Sequence, residues 1–187
     1  MPSSLGALSP LDGRYHKQVA ALSAYFSEAA LIRYRARVEI EWLIALAGEP
    51  GISELKPFSE AAQGELRQAV QAFSEADAAR VKEIEARTNH DVKAIEYWLK
   101  ERFASQAEMS AASEFIHFAC TSEDINNLAH ALMLGEARQK VLLPALDAIT
   151  EKLAVLAREL AGQPMLARTR RTARPWRRAV RSASCRD

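Results

Sequence analysis

A short polar run that precedes an apolar helical stripe contains the side chains best suited to bind a ligand. This downstream run, residues 114–128, reads Glu-Phe-Ile-His-Phe-Ala-Cys-Thr-Ser-Glu-Asp-Ile-Asn-Asn-Leu. Thr121 or Ser122 is suited to cap a helix, and Glu123 and Asp124 complement the positive end of its dipole. Free backbone N–H groups and hydroxyls at such an end bind anionic oxygens, but an ordinary capped helix looks the same. The run therefore predicts either an anion site or a purely structural helix start.

A second polar run lies near the N-terminus and offers a guanidinium and a phenol. This N-terminal run, residues 9–15, reads Ser-Pro-Leu-Asp-Gly-Arg-Tyr, and Gly13 permits unusual backbone angles just before Arg14 and Tyr15. A guanidinium suits bidentate recognition of a phosphate or a carboxylate. The same residues also suit a surface turn, so this run alone does not assign a function.

The middle run reads Arg-Thr-Asn-His-Asp-Val and lies between two apolar helical segments. Thr88 or Asn89 can cap the second segment, and Asp91 favours its first turn. His90 is then left as a candidate proton donor or acceptor, because imidazole changes its charge near physiological pH. The alternative for His90 is a hydrogen-bonded cap residue, and a structural role is likewise the alternative for His117.

The elements that must position these runs are predicted to be helices. The chain has 187 residues, 49% of them hydrophobic, with only seven Gly and seven Pro, and it shows no strand-like alternation. The capping residues and apolar spacing predict helices from Ser27 to near Gly48, after Ser59, after Ser74, from about Asp91 to Phe103, and from Ser113 onward. The predicted fold class is all-α.

A regular apolar stripe near the end of the chain predicts a helix-bundle seam. Its residues alternate at spacings of four and three, and they are Leu142, Leu146, Ile149, Leu153, Leu156 and Leu160. Such a stripe is typical of a core or an oligomer interface, and Pro144 fits the first turn of its helix or a kink. Without partner helices we expect it to drive self-association.

With the three runs in this order, the chain resembles the adenylosuccinate lyases of the fumarase/aspartase superfamily, from about Leu8 to Thr169. The resemblance implies that the N-terminal run binds the nucleotide phosphate. It also implies that the middle run lines the substrate pocket and that the downstream run holds the succinyl carboxylates. The substrate-binding residues implied in this way are Arg14, Tyr15, Asn89, His90, Asp91, Thr121 and Ser122.

The resemblance also implies a β-elimination in which a C–N bond breaks, fumarate leaves, and AMP or the related imidazole-carboxamide ribotide remains. It implies no metal and no organic cofactor. Within the superfamily, the Asp-Gly-Arg-Tyr and Arg-Thr-Asn-His-Asp-Val motifs favour a nucleotide substrate over the substrates of argininosuccinate lyase and aspartase. The implied assembly is a homotetramer built on a central bundle of long helices, in which each active site takes residues from three subunits.

The chain departs from this family where the proton-transfer groups are expected. In the family the acid is a His in a Thr-His-Gly-Gln motif, and the base is a Ser in a downstream Ser-Ser-x-Met-Pro-x-Lys-x-Asn loop. Here Thr169 is followed by Arg170, and the 187 residues contain no such loop. We therefore expect a truncated lyase with little or no activity by itself.

The charge distribution changes at the same point. Residues 168–187 contain eight Arg and one acid, whereas residues 1–167 contain 17 basic and 23 acidic residues. We interpret residues 168–187 as an aberrant, disordered tail that arose by a frameshift. The alternative is a genuine basic tail on a non-catalytic binding or assembly module, in which clustered Arg binds nucleic acid.

The predicted organisation is a helical lyase domain over residues 1–112, the start of the central bundle over 113–167, and the tail. The expected partners are a small-molecule nucleotide and further copies of the chain, and nucleic acid is disfavoured. Two Cys make no disulfide framework, and no apolar run is long enough to span a bilayer. We expect a cytoplasmic protein without a membrane role.

Overall fold

The computed structural model describes residues 7–165 and 174–175, and nearly all of their regular structure is helical. The α-helices are α1 (Ser23–Phe26), α2 (Glu28–Ala47), α3 (Glu60–Gln71), α4 (Glu75–Thr88), α5 (Asp91–Phe103), α6 (Ala107–Ala111), α7 (Ser122–Ala137) and α8 (Leu143–Glu159). Shorter helical turns are the 3₁₀ turns Ala20–Leu22 and Ser113–Phe115 and the π-helical turn Arg138–Leu142. Strands β1 (Pro164–Met165) and β2 (Arg174–Pro175) form an antiparallel pair. The predicted all-α class is confirmed.

The chain divides into two compact units, residues 1–138 and residues 139–187. In the described residues, the first unit contains α1 to α7, and the second contains α8 and the strand pair. The division predicted between residues 112 and 113, and the separate tail from residue 168, stay predictions.

Serine side chains set the starts of three helices, as the sequence predicts. Ser27 Oγ accepts a hydrogen bond from the backbone N–H of Ala30 at 3.2 Å, and Ser59 Oγ caps α3 in the same way. Ser74 forms a reciprocal capping box with Asp77 at the start of α4. Each cap satisfies backbone donors that the first helical turn leaves free. The predicted helices after Ser27, Ser59 and Ser74 are confirmed.

The core of the first unit is built around α2, which packs against α1, α3, α4, α5 and α7. Its buried apolar side chains join those of α3, α4 and α5, and Phe73 meets Trp98 edge to face at 5.3 Å. A helix with neighbours on most sides is buried almost all round, so its sequence lacks a broad polar face. Any charged residue on such a helix must find a partner inside the protein.

A second, smaller apolar cluster fixes α7 to α2 and to the start of α5. It consists of Tyr34, Val38, Val92, Ile125, Ala129 and Met133, each at most 7% exposed. Because Val92 and Ile125 lie in the first turns of α5 and α7, this cluster determines where both helices begin relative to α2.

The apolar stripe of the second unit lies on α8, and none of the residues of this helix is buried. Leu146, Ile149 and Leu153 are 57–60% exposed, and Pro144 lies in the first turn, which is one of its two predicted places. No helix in the part of the chain that the structure describes is long and apolar enough to cross a membrane.

The core assignment can be tested by one matched pair of substitutions. Leu66 is 1% exposed, so Leu66→Ala should lower the free energy of unfolding by about 2–5 kcal/mol through lost burial and a residual cavity. Leu128 is 56% exposed, so Leu128→Ala should cost less than about 1 kcal/mol. Urea denaturation of both variants checks the difference, and equal losses would contradict this core.

Candidate functional site

The start of α5 is capped by His90, which corrects the expectation that Thr88 or Asn89 caps this helix. Thr88 is the last residue of α4, and Asn89 takes a left-handed conformation with φ 52°, which Asn tolerates better than most residues. The chain therefore turns at Asn89, and His90 Nδ1 accepts a hydrogen bond from Lys93 N–H at 3.1 Å. This contact leaves the proton of a neutral His90 ring on Nε2.

The start of α7 is capped by Thr121, one of the two residues that the sequence allows. Thr121 N–H and Oγ1 both donate to Asp124 Oδ2, at 2.8 and 3.0 Å. These two bonds, the backbone one first, lower the pKa of Asp124. Because the Thr121 hydroxyl is bound to Asp124, the hydroxyl of Ser122 is the one left to contact another group.

The middle and downstream runs meet through His90 and Ser122. His90 Nε2 lies 3.4 Å from Ser122 Oγ, although the two residues are 32 positions apart. His90 is half exposed, and Ser122 is partly buried in the first turn of α7. Two hydrogen-bonding groups that suit an anionic oxygen therefore lie side by side at the adjoining starts of two helices.

A buried arginine holds these two helix starts together. Arg35 on α2 is 7% exposed, its Nη2 lies 2.7 Å from Asp91 Oδ2, and its Nε donates to Asn126 Oδ1 at 2.8 Å. Asp91 begins α5 and Asn126 lies in the second turn of α7, so one guanidinium binds both helices. Burial of Asp91 opposes its ionisation, but the Val92 N–H and the Arg35 charge outweigh burial and lower its pKa.

The loop before α7 is held by two further side chains of α2. The sequence predicts helix from Ser113 onward, but only one 3₁₀ turn forms there before α7. His117 and Ala119 have φ of 64° and 58°, a region that disfavours helix continuation and costs energy for residues other than Gly. Glu39 Oε1 lies 2.7 Å from His117 Nδ1, and Trp42 Nε1 donates to Phe118 O at 2.8 Å.

Among the predicted site residues, Arg14 and Tyr15 stay apart from the others. Both are exposed, and the Arg14 guanidinium lies 4.7 Å from the centre of the Tyr15 ring. Within residues 7–165, neither side chain forms a hydrogen bond or an ion pair with the middle or downstream run. The preceding turn is closed locally, because Ser9 N–H donates to Asp12 Oδ1 at 2.8 Å. Arg170 lies outside the described residues.

A groove of about 610 Å³ lies between α2 and α7 and is lined in part by the downstream run. Apolar side chains such as Trp42, Ile125 and Leu128 form most of its wall, and Asp124 contributes a carboxylate. None of the seven predicted binding residues lines it. In the described part of the chain, no group of three or more side chains is arranged to hold a metal ion.

Sequence reasoning missed Arg35, Glu39 and Asn126. A signal for the first two was weak, because Arg35 and Glu39 lie one helical turn apart on α2, but other charged side chains of the same stretch surround them in the sequence. Charged side chains at buried helix positions indicate internal partners. Asn126 gave no such signal, since its position relative to Arg35 depends on how α7 packs on α2.

Most of the chain is similar to known lyases. The lyase family model matches residues 13–181. Adenylosuccinate lyases of Haemophilus influenzae and Escherichia coli strain K12 are 54% and 53% identical to the chain over 167 residues. That of Dictyostelium discoideum is 47% identical over 173 residues. Each match covers 89% of this chain and 36–37% of the relative, so the chain spans little more than a third of the length of these relatives.

The role of Arg35 in holding the two helix starts predicts a large effect of its removal. Arg35→Leu should lower the free energy of unfolding by about 2 kcal/mol, since Asn126 and Asp91 both lose a partner. Arg67→Leu is the matched control, because Arg67 pairs with Glu41 on the surface, where ion pairs contribute at most about 1 kcal/mol. Chemical denaturation measures both variants, and an equal or smaller loss in Arg35→Leu would contradict the bridge.

The lowered pKa of Asp91 predicts a pH-dependent contribution to stability. The charged form of Asp91 stabilises the folded state above the unfolded pKa of about 3.9, and this contribution is lost as the pH falls through the lower folded value. Asp91→Asn should therefore be less stable than the parent near neutral pH, with a gap that fades below about pH 4. Urea unfolding across this range measures the gap, and a gap that stays constant would be inconsistent with an ionised, paired Asp91.

Proposed function

The chain belongs to the lyase family, and from this premise we propose that it is the substrate-recognising N-terminal part of an adenylosuccinate lyase. The complete reaction removes fumarate from adenylosuccinate to leave AMP, and acts in the same way on the succinylated imidazole-carboxamide ribotide. A base takes the proton from carbon, that electron pair forms the new C=C bond, and the C–N bond breaks as an acid protonates the departing nitrogen. This activity belongs to purine nucleotide synthesis.

The contact between His90 Nε2 and Ser122 Oγ is the observation that carries this proposal. Carboxylate oxygens accept hydrogen bonds, and the intermediate of such an elimination carries extra negative charge on one carboxylate. A neutral His90 presents Nε2–H, and Ser122 presents a hydroxyl in the first turn of α7. Both can therefore donate to a succinyl carboxylate as its charge increases.

Neighbouring charges favour this assignment. Asp91 lies beside His90 and would repel an anion, but its carboxylate is paired with the Arg35 guanidinium at 2.7 Å. Asp124 accepts two hydrogen bonds from Thr121, and these bonds partly offset the negative charge that Asp124 would otherwise present to a ligand. A ligand carboxylate that binds to His90 and Ser122 is therefore repelled less by Asp91 and Asp124 than it would be by two unpaired carboxylates.

The remaining binding residues are proposed on the resemblance. Arg14 and Tyr15 would bind the nucleotide phosphate, which an exposed guanidinium suits. Asn89 and Asp91 would line the pocket, and Thr121 would join Ser122 at the carboxylates by turning its hydroxyl proton away from Asp124. The acid and base are not among these residues, so this part of the enzyme would recognise substrate and stabilise charge while other residues transfer protons.

We also propose a homotetrameric assembly in the cytoplasm. The exposed apolar stripe of α8 supports self-association, because such stripes are normally covered by partner helices. The second candidate function, nucleic-acid binding through the Arg-rich tail, rests on residues 168–187, and residues 168–173 and 176–187 of that tail lie outside the described part. It is favoured only by the eight Arg found there.

Fumarate binding tests the proposed carboxylate site. Ser122→Ala should weaken binding of fumarate to the full chain by about tenfold, because one hydrogen bond to a charged group is lost. Ser53→Ala is the control, since Ser53 is exposed in the turn between α2 and α3 and its hydroxyl donates to Glu54 Oε2 at 3.2 Å. A titration followed by NMR measures both affinities.

The three possible results of this titration have different meanings. Weaker binding in Ser122→Ala with unchanged binding in Ser53→Ala supports the carboxylate site. Equal affinity in the parent and in both variants would mean that fumarate binds elsewhere, and no binding to the parent would overturn the proposed function of this chain.

A further inference from the structure

Glu39 is a buried carboxylate that the proposed function does not use. It is 0% exposed on α2, and Oε1 lies 2.7 Å from His117 Nδ1. Its other oxygen, Oε2, is buried and has no hydrogen-bond partner among the described residues. An ionised carboxylate in such a position is costly unless a cation or several donors face it.

Among the described residues, His117 is the titratable group that hydrogen-bonds to Glu39. Glu96 on α5 is also buried, but its oxygens bind Lys93 at 2.7 Å and Lys100 at 3.2 Å. Burial is the main cause that raises the pKa of Glu39, the His117 contacts oppose it, and the charge of Glu96 adds to it. A bare Glu39 anion beside an uncharged His117 is therefore disfavoured.

Two proton arrangements avoid that state. In one, Glu39 is ionised and an imidazolium donates Nδ1–H to it. In the other, Glu39 keeps its proton and donates O–H to Nδ1 of a neutral ring. Both arrangements leave a proton on His117 Nε2, since Nδ1 faces Glu39 in either case. The buried Glu39 thus determines that Nε2, the ring nitrogen on the other side of His117, is a hydrogen-bond donor.

The position of His117 makes its Nε2–H a candidate donor to a ligand at the start of α7. Its side chain is 20% exposed, and it lies in the loop that leads directly to Thr121. His117 lies four residues before Thr121, the residue that caps α7. The positive φ of His117 is held by Glu39 at its side chain and by the bond from Trp42 to Phe118 O.

We propose that Glu39 is a positioning residue that acts through His117, fixing its Nε2 as a hydrogen-bond donor toward a dicarboxylate bound at the start of α7. This inference rests on the proposed function for the identity of the ligand. It requires no contact between Glu39 and the ligand. The effect is transmitted through one hydrogen bond of 2.7 Å.

The test uses the full chain labelled with ¹⁵N in its His rings. In the parent near neutral pH, NMR should show His117 Nε2 protonated. In Glu39→Gln, which keeps the side-chain shape but cannot lose or share a carboxyl proton, Nε2 should lose its proton in a large fraction of molecules. Fumarate affinity should fall by about tenfold in the same variant, as for the loss of one charge-assisted bond.

Glu41→Gln is the matched control. Glu41 lies on the same helix, is exposed, and binds Arg67 through both oxygens at 2.9 and 3.0 Å. Its substitution also replaces one carboxyl group of α2 by an amide, and it should leave both the His117 ring signals and fumarate affinity unchanged. A merely structural role of Glu39 would lower stability without moving the Nε2 signal.

The possible results distinguish failure of the proposed role of Glu39 from failure of the proposed function. An unprotonated Nε2 in the parent would overturn the role of Glu39 even if Glu39→Gln did not fold, and it would leave the proposed function standing if fumarate binds. Failure of the parent to bind fumarate would overturn the proposed function and the ligand in this inference together. A protonated Nε2 in the parent that is lost in Glu39→Gln, with weaker fumarate binding, supports the inference.

Discussion

The guanidinium of Arg35, buried between Asp91 and Asn126, is the interaction on which the rest of the site depends. It joins one helix in the middle of the first unit to the starts of two others. Burying a charge is costly, and this cost is offset only when the partners are close and well oriented. The geometry that satisfies Arg35 therefore permits little movement of α5 or α7. The short distance between His90 and Ser122 follows from that constraint.

Other side chains of α2 also hold neighbouring segments in place. Within two turns, Arg35 binds the helix starts, Glu39 binds His117, and Trp42 binds the backbone of Phe118. Tyr34 and Val38 of the same helix are buried in the smaller apolar cluster. A helix that is buried on most sides can position a loop in the left-handed region because each contact is fixed by packing. The proposed recognition residues His90 and Ser122 thus lie at the starts of α5 and α7, whereas the residues that hold these starts in place lie on α2.

Features that depend on local chemistry could be predicted from the sequence, and those that depend on packing could not. The helix starts at Ser27, Ser59 and Ser74 follow from a hydroxyl and the next few residues. A capping role was predicted for His90 only as an alternative, since the left-handed turn at Asn89 decides which side chain reaches the free N–H groups. The partners of Arg35 and Glu39 are 56 to 91 positions away in the chain, so spacing alone could not pair them. Whether the predicted binding residues hold substrate stays a prediction.

The central claim is that two separated polar runs form one site because a buried arginine fixes their helices. Nuclear Overhauser contacts between the His90 ring protons and the Ser122 β-protons measure this most directly in the chain in solution. The structure places Nε2 and Oγ 3.4 Å apart, so the account predicts clear contacts between these protons. If no such contacts appear while the core contacts of α2 with α5 and α7 persist, the two runs do not form one site, and the account is contradicted.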